Sequence, residues 1–178
     1  MKPAMFILYV TLLFIGLINT PVNAVELSAS KNNLPLYSTI YDEKRDPFKD
    51  AKAAIKLANE TNRNVLIEIG GNWCTWCHKM DAFLETNSDI YKKLHSEYVL
   101  LKVNVSDTNE NEAFMKALPP TLGYPHMYVS TGTGKMILSK DTAELLADGD
   151  YSRAQWIAFL EQWKLANNVQ NIKKNEAD

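Results

Sequence analysis

Cysteine is scarce in this chain. Two occur in 178 residues, Cys74 and Cys77, three positions apart. With no third cysteine there is no separate disulfide framework, so the two either bond to each other or hold a metal or a cofactor. Excess charge is also missing: the formal net charge is −2, which gives no basic surface for nucleic acid. The apolar run at residues 5–18 falls short of the roughly 20 residues that a membrane-spanning helix needs. No internal repeat and no low-complexity segment is visible. What remains, 46% hydrophobic and 22% charged residues, describes one globular domain that can build a core.

The two ends of the chain read as accessory segments. Lys2, the apolar run 5–18, Pro21 and the small-residue site Val22-Asn23-Ala24 form a secretory signal over residues 1–24, with cleavage expected after Ala24. The competing reading is an uncleaved N-terminal anchor. No cysteine follows the run, which excludes lipoprotein processing. The mature protein is then expected in an oxidising compartment, periplasmic or secreted, with no stable membrane insertion. The terminal Asn-Glu-Ala-Asp is not an endoplasmic-reticulum retention signal. Residues 25–45 are polar and aperiodic and read as a lead-in, and residues 169–178 as a polar tail.

Between these ends the periodicity gives an ordered set of elements. Asp46-Pro47 marks a helix start. Phe48, Ala51, Ile55 and Ala58 form its apolar stripe. Residues 65–69 suit a buried strand, and Gly70-Gly71-Asn72 end it. Trp73, Cys74 and Cys77 follow, and Met80, Phe83 and Leu84 continue at helical spacing. The cysteines therefore sit where a strand turns into a helix. At that helix N-terminus free backbone N–H groups and the dipole stabilise an anion such as a thiolate. A short helix over 88–95, a strand over 98–105 and a helix over 108–118 stopped by Pro119-Pro120 come next. Gly123-Tyr124-Pro125-His126 then leads into a hairpin of strands 126–130 and 135–139. The last helix opens with a capping box at Ser152 and Gln155 and a staple between Tyr151 and Trp156. Trp156, Phe159, Leu160 and Trp163 form its apolar face.

The order strand, Trp-Cys-x-x-Cys, helix, strand, helix, Gly-x-Pro, hairpin, helix resembles the thioredoxin superfamily over about residues 46–166. The resemblance implies an α/β domain over 46–168 with a thioredoxin-like fold: a central mixed sheet flanked by helices, here with an extra N-terminal helix at 46–60. The family's motif falls on Trp73, Cys74 and Cys77, and its cis-proline loop on Tyr124-Pro125. Its buried acid falls on Glu68, six residues before Cys74, and the lysine facing that acid on Lys102. Thr75-Trp76 replaces Gly-Pro between the cysteines, and His78 follows directly. These departures are similar to secreted and multi-domain relatives, among them the thioredoxin-like end domain of membrane thiol reductases. Strongly oxidising relatives place a histidine between the cysteines; Thr75 and Trp76 carry no charge, which places this chain on the reducing side.

The resemblance implies a protein thiol–disulfide oxidoreductase that needs no metal and no cofactor, leaning towards a reductase or isomerase and served by a membrane electron donor. Cys74 is then the nucleophile, expected to be the more exposed of the pair, and Cys77 the buried resolving thiol, the two cycling through a Cys74–Cys77 disulfide. Trp73, Trp76, Tyr124 and Pro125 are the expected substrate contacts. Glu68 is expected to act as base for Cys77, with burial raising its pKa and Lys102 lowering it. The opposing expectation puts Glu68 in water on an edge strand. Three other readings compete for the motif. Cys74, Cys77 and His78 also spell a c-type haem attachment site. The same three with His126 are candidate metal ligands, although a structural zinc site usually wants two spaced pairs. A redox-inert binding module is the third.

Overall fold

The computed structural model describes residues 33–165. The expected signal peptide and polar tail lie outside the described residues. Four strands form a sheet in the order β2-β1-β3-β4. β1 (Asn64–Gly70) runs parallel to β2 (Tyr98–Asn104) and antiparallel to β3 (His126–Ser130), and β3 pairs with β4 (Met136–Asp141). The sheet is therefore mixed. β1 and β2 are buried at every position, as expected of strands covered on both faces.

Helices cover the two faces unequally. Successive side chains of a strand point to opposite faces. Val65, Ile67 and Ile69 join Ala54 and Ala58 of α1 (Pro47–Glu60) in one cluster. Leu66 joins the other cluster. That cluster takes Met80 and Leu84 from α2 (Thr75–Thr86), Leu94 from α3 (Ser88–Glu97), and Trp156 and Leu160 from α5 (Arg153–Gln162). Each fully buried leucine or methionine in it contributes about 1.5–3 kcal/mol. By the same alternation Glu68 and Gly70 project with Leu66, beneath α2. Among the described residues no helix is long and apolar enough to cross a membrane.

The helix ends follow the expected chemistry. The Asp46 carboxylate accepts from the Phe48 and Lys49 amides at 3.0 and 3.3 Å. The Ser152 hydroxyl accepts from the Gln155 amide, and the Tyr151 and Trp156 rings lie 6.4 Å apart. The β3–β4 turn closes at Gly134, whose φ of 85° suits glycine. A small ribbon, β5 (Leu146–Ala147) and β6 (Asp150–Tyr151), precedes α5.

Two expectations are corrected. The stripe on α1 is rotated: Asp50, Ala54 and Ala58 are buried, while Phe48 is 53% exposed. Arg45 makes two 2.6 Å hydrogen bonds to Asp50, so the acid can be buried as a pair, and the small alanines let the helix approach the sheet. The helix expected over 108–118 shrinks to one turn, α4 (Glu112–Met115). Asn109 accepts the Asn111 amide on its side chain at 3.1 Å, and Asn111 takes a left-handed φ of 47°. Asparagine side chains here compete for the backbone groups that a helix would use. The described part of the lead-in packs on the domain. Tyr37 and Tyr41 are buried, and the Ser38 hydroxyl donates to the Leu100 carbonyl of β2.

Candidate active site

β1 ends at Gly70, and α2 begins with Cys74 as its N-cap. Cys74 is extended there, and its sulfur accepts the Cys77 amide at 3.1 Å. The two cysteines form a disulfide with their Cα atoms 5.2 Å apart, so of the two uses open to them they take the bond to each other. When that bond is reduced, a Cys74 thiolate sits on the amide of Cys77 and the positive end of the helix dipole. Both sulfurs are enclosed: Cys74 is 3% exposed and Cys77 fully buried. Cys74 is the more exposed of the two, but only slightly in the disulfide form, where Tyr41 and Trp76 pack against the pair.

The two histidines of the haem and metal readings have other partners here. His78 bonds the Asn72 carbonyl at 2.8 Å, and His126 bonds the Ser139 hydroxyl at 2.9 Å. Among the described residues no group of three or more histidine, cysteine or acidic side chains could hold a metal ion.

An apolar rim surrounds the disulfide. Trp73 is 56% exposed, and its indole N–H donates to the Val105 carbonyl at 2.6 Å. Gly71 permits this, since a Cβ there would lie 2.6 Å from the indole nitrogen and 2.8 Å from that carbonyl. The Trp73 ring meets the Tyr124 ring edge-on at 5.3 Å. The Tyr124–Pro125 peptide is cis, and the Thr142 hydroxyl holds the Pro125 carbonyl at 2.5 Å. Trp76 rests edge-on against Tyr151 at 5.8 Å. A groove of about 300 Å³ runs along this side, lined by Trp76, Leu122, Tyr124, Pro125, Leu146 and Tyr151. All four aromatic or proline residues expected to touch substrate thus border the motif.

Beneath the motif lies a buried polar cluster. Glu68 is 1% exposed, and β1 is an inner strand, which rules out the edge position. Its register partner on β2 is Lys102, 6% exposed. The Lys102 ammonium lies 3.8 Å from Glu68 and 2.5 Å from Asp81 of α2. The Tyr41 hydroxyl donates to the Glu68 carboxylate. Burial pushes the Glu68 carboxyl above its ordinary pKa, and Lys102 only partly offsets it. Burial pulls Lys102 down, but the Glu68 and Asp81 carboxylates outweigh it and the net direction is up. Burial, then the Glu68 charge, pushes the Tyr41 phenol well up. A Cβ on Gly70 would lie 2.5 Å from the Cys77 sulfur and 2.7 Å from the Tyr41 oxygen. Both atoms therefore lie against Gly70, where a side chain would not fit, and Tyr41 packs with Cys74 and Cys77 in one buried cluster.

Sequence reasoning missed Asp81 and Tyr41. Asp81 had a signal: it falls on the Cys74 and Cys77 face of α2, at i+7 from Cys74. Tyr41 had none, since it comes from an aperiodic segment.

Residues 46–130 match the sequence profile of the family described as Thioredoxin-like. No curated protein matches the chain. Among solved structures the chain is similar to a disulphide isomerase from Xylella fastidiosa Temecula1, at 24% identity and a TM-score of 0.56, covering 73% of this chain and 96% of that one. It also aligns with the C-terminal domain of Neisseria meningitidis DsbD in the oxidised form, at 18% identity and a TM-score of 0.49, covering 69% and 97%.

Proposed function

We propose that this chain, whose fold is thioredoxin-like, is an exported protein thiol–disulfide oxidoreductase acting as a reductase or isomerase. The observation that carries the reading is the Cys74–Cys77 disulfide at the N-terminus of α2 within a rim of exposed Trp73, Leu122 and Tyr124. In the reduced state the Cys74 thiolate attacks one sulfur of a substrate disulfide. A mixed disulfide forms, and the other substrate sulfur leaves as a thiolate that takes a proton from solvent. Glu68 then acts as base for Cys77, whose thiolate attacks the Cys74 sulfur. The Cys74–substrate bond breaks, the second substrate thiolate leaves, and the Cys74–Cys77 disulfide re-forms. The substrate has gained two electrons and the cysteine pair has lost two. In this reading the backbone of residue 124 pairs with an extended substrate segment. A membrane thiol reductase is the proposed source of the returning electrons.

Catalysed reduction of a protein disulfide by excess dithiol tests the activity. Wild type accelerates the reduction of insulin, and Cys74→Ser returns it to the uncatalysed rate. A wild-type rate equal to that without protein would reject the proposal.

Export makes its own prediction. Protein recovered from a secreting host begins at Val25. An intact Met1 in the membrane fraction would replace cleavage with the anchor reading.

A further inference from the structure

We infer that Tyr41 is the proton relay between Cys77 and Glu68. The inference rests on the reading of Glu68 as base and adds the path that its proton takes. The Tyr41 hydroxyl donates to Glu68, and both its oxygen and the Cys77 sulfur lie against Gly70. It touches the carboxylate and packs in one buried cluster with both cysteines. Its position is fixed: the side chain is 5% exposed, the Asn72 amide holds its carbonyl at 3.1 Å, and the Lys102 ammonium lies 4.8 Å from its ring centre. A glycine at position 70 leaves room for both atoms.

The relay moves two protons and leaves the phenol neutral. In the mixed disulfide, Cys77 is a thiol and Glu68 a carboxylate. The phenol proton passes to the Glu68 carboxylate while the thiol proton passes to the phenol oxygen. The resulting Cys77 thiolate attacks the Cys74 sulfur, and the substrate thiolate leaves. Glu68 holds the proton until the disulfide is reduced again, when it returns by the same path. The charged and titratable groups around this path are Glu68 on β1, Lys102 on β2, Asp81 on α2 and Tyr151 on β6. A phenol whose pKa stays high does not ionise in their place, so it passes protons without storing charge.

Tyr41→Phe keeps the ring and removes the relay atom. Stopped-flow measurement of a preformed mixed disulfide between Cys74 and a model thiol reads the resolving step at several pH values. The resolving rate is expected to fall about 10²-fold at every pH, including the high-pH plateau, while the first attack by Cys74 stays within about twofold. A variant that only shifts the pH profile and keeps the wild-type plateau would show that Tyr41 merely tunes Glu68, and would overturn the relay. Should Tyr41→Phe not fold, the wild-type resolving rate in mixtures of light and heavy water decides the matter. A curved dependence shows two protons in motion, and a linear one overturns the relay. Glu68→Gln separates the two readings. If it slows resolution while Tyr41→Phe does not, the base stands and the relay fails. If Glu68→Gln leaves resolution unchanged, the base reading fails and the relay with it.

Discussion

Cys77→Ser converts the protein into a trap. Cys74 still attacks substrate disulfides, nothing remains to resolve the product, and mixed disulfides accumulate while multiple turnover falls to the uncatalysed rate. Cys74→Ser loses turnover equally but traps few partners. The asymmetry does not come from exposure, since the two sulfurs are 3% and 0% exposed. It comes from position. Cys74 caps the helix, and its sulfur accepts the Cys77 amide, beside the exposed Trp73 ring. The Cys77 sulfur faces inward, to Gly70 and Tyr41. Affinity capture followed by non-reducing electrophoresis reads the trapped species, and equal trapping by both variants would reverse the assigned roles.

Glu68→Gln is expected to leave the first attack nearly intact and slow the resolving step by about 10² to 10⁴, the usual contribution of a positioned general base. The variant should fold. Removing one partner of a buried ion pair commonly costs about 3–5 kcal/mol because the other charge is left unpaired. Here Lys102 keeps Asp81 at 2.5 Å, and glutamine retains an oxygen for the Tyr41 hydroxyl. The pH dependence has a definite sign. Only the carboxylate accepts a proton, and the Glu68 pKa is raised above its ordinary value by burial. The wild-type resolving rate therefore falls as pH drops through that raised pKa and levels off above it. The glutamine variant is slow throughout and lacks this step. Stopped-flow turnover of a mixed disulfide across pH checks both statements; an unchanged resolving rate would remove Glu68 from the mechanism.

Much of the site was legible because it is written in local pattern. Residues 65–69, the glycines after them and the helical spacing from Cys77 place the disulfide at a strand-to-helix junction without any tertiary information. Glu68 and Lys102 stood out as charges inside two apolar strands, and the parallel register brings them opposite each other. What was hidden depends on contacts distant in sequence. Tyr41 approaches Glu68 from 27 positions away, in a segment with no period to read. Lys102 prefers Asp81, 21 positions away, over its strand neighbour, and this preference follows from the orientation of α2. The shortened α4 and the rotated face of α1 failed for another reason. Asparagine side chains and the Arg45–Asp50 pair changed what the backbone and the core accept, and hydrophobic periodicity does not register either effect.

The proposed activity requires a disulfide that exchanges. Equilibrating the protein against graded dithiol and glutathione buffers, then alkylating and weighing it, gives the reduction potential of the Cys74–Cys77 couple. The uncharged Thr75-Trp76 between the cysteines predicts a value on the reducing side of about −120 mV, and a working couple lies above the limit of about −300 mV beneath which disulfides are structural. A potential below that limit would mean an inert cross-link, and one as high as about −120 mV would mean an oxidant; either would contradict the reductase or isomerase described here.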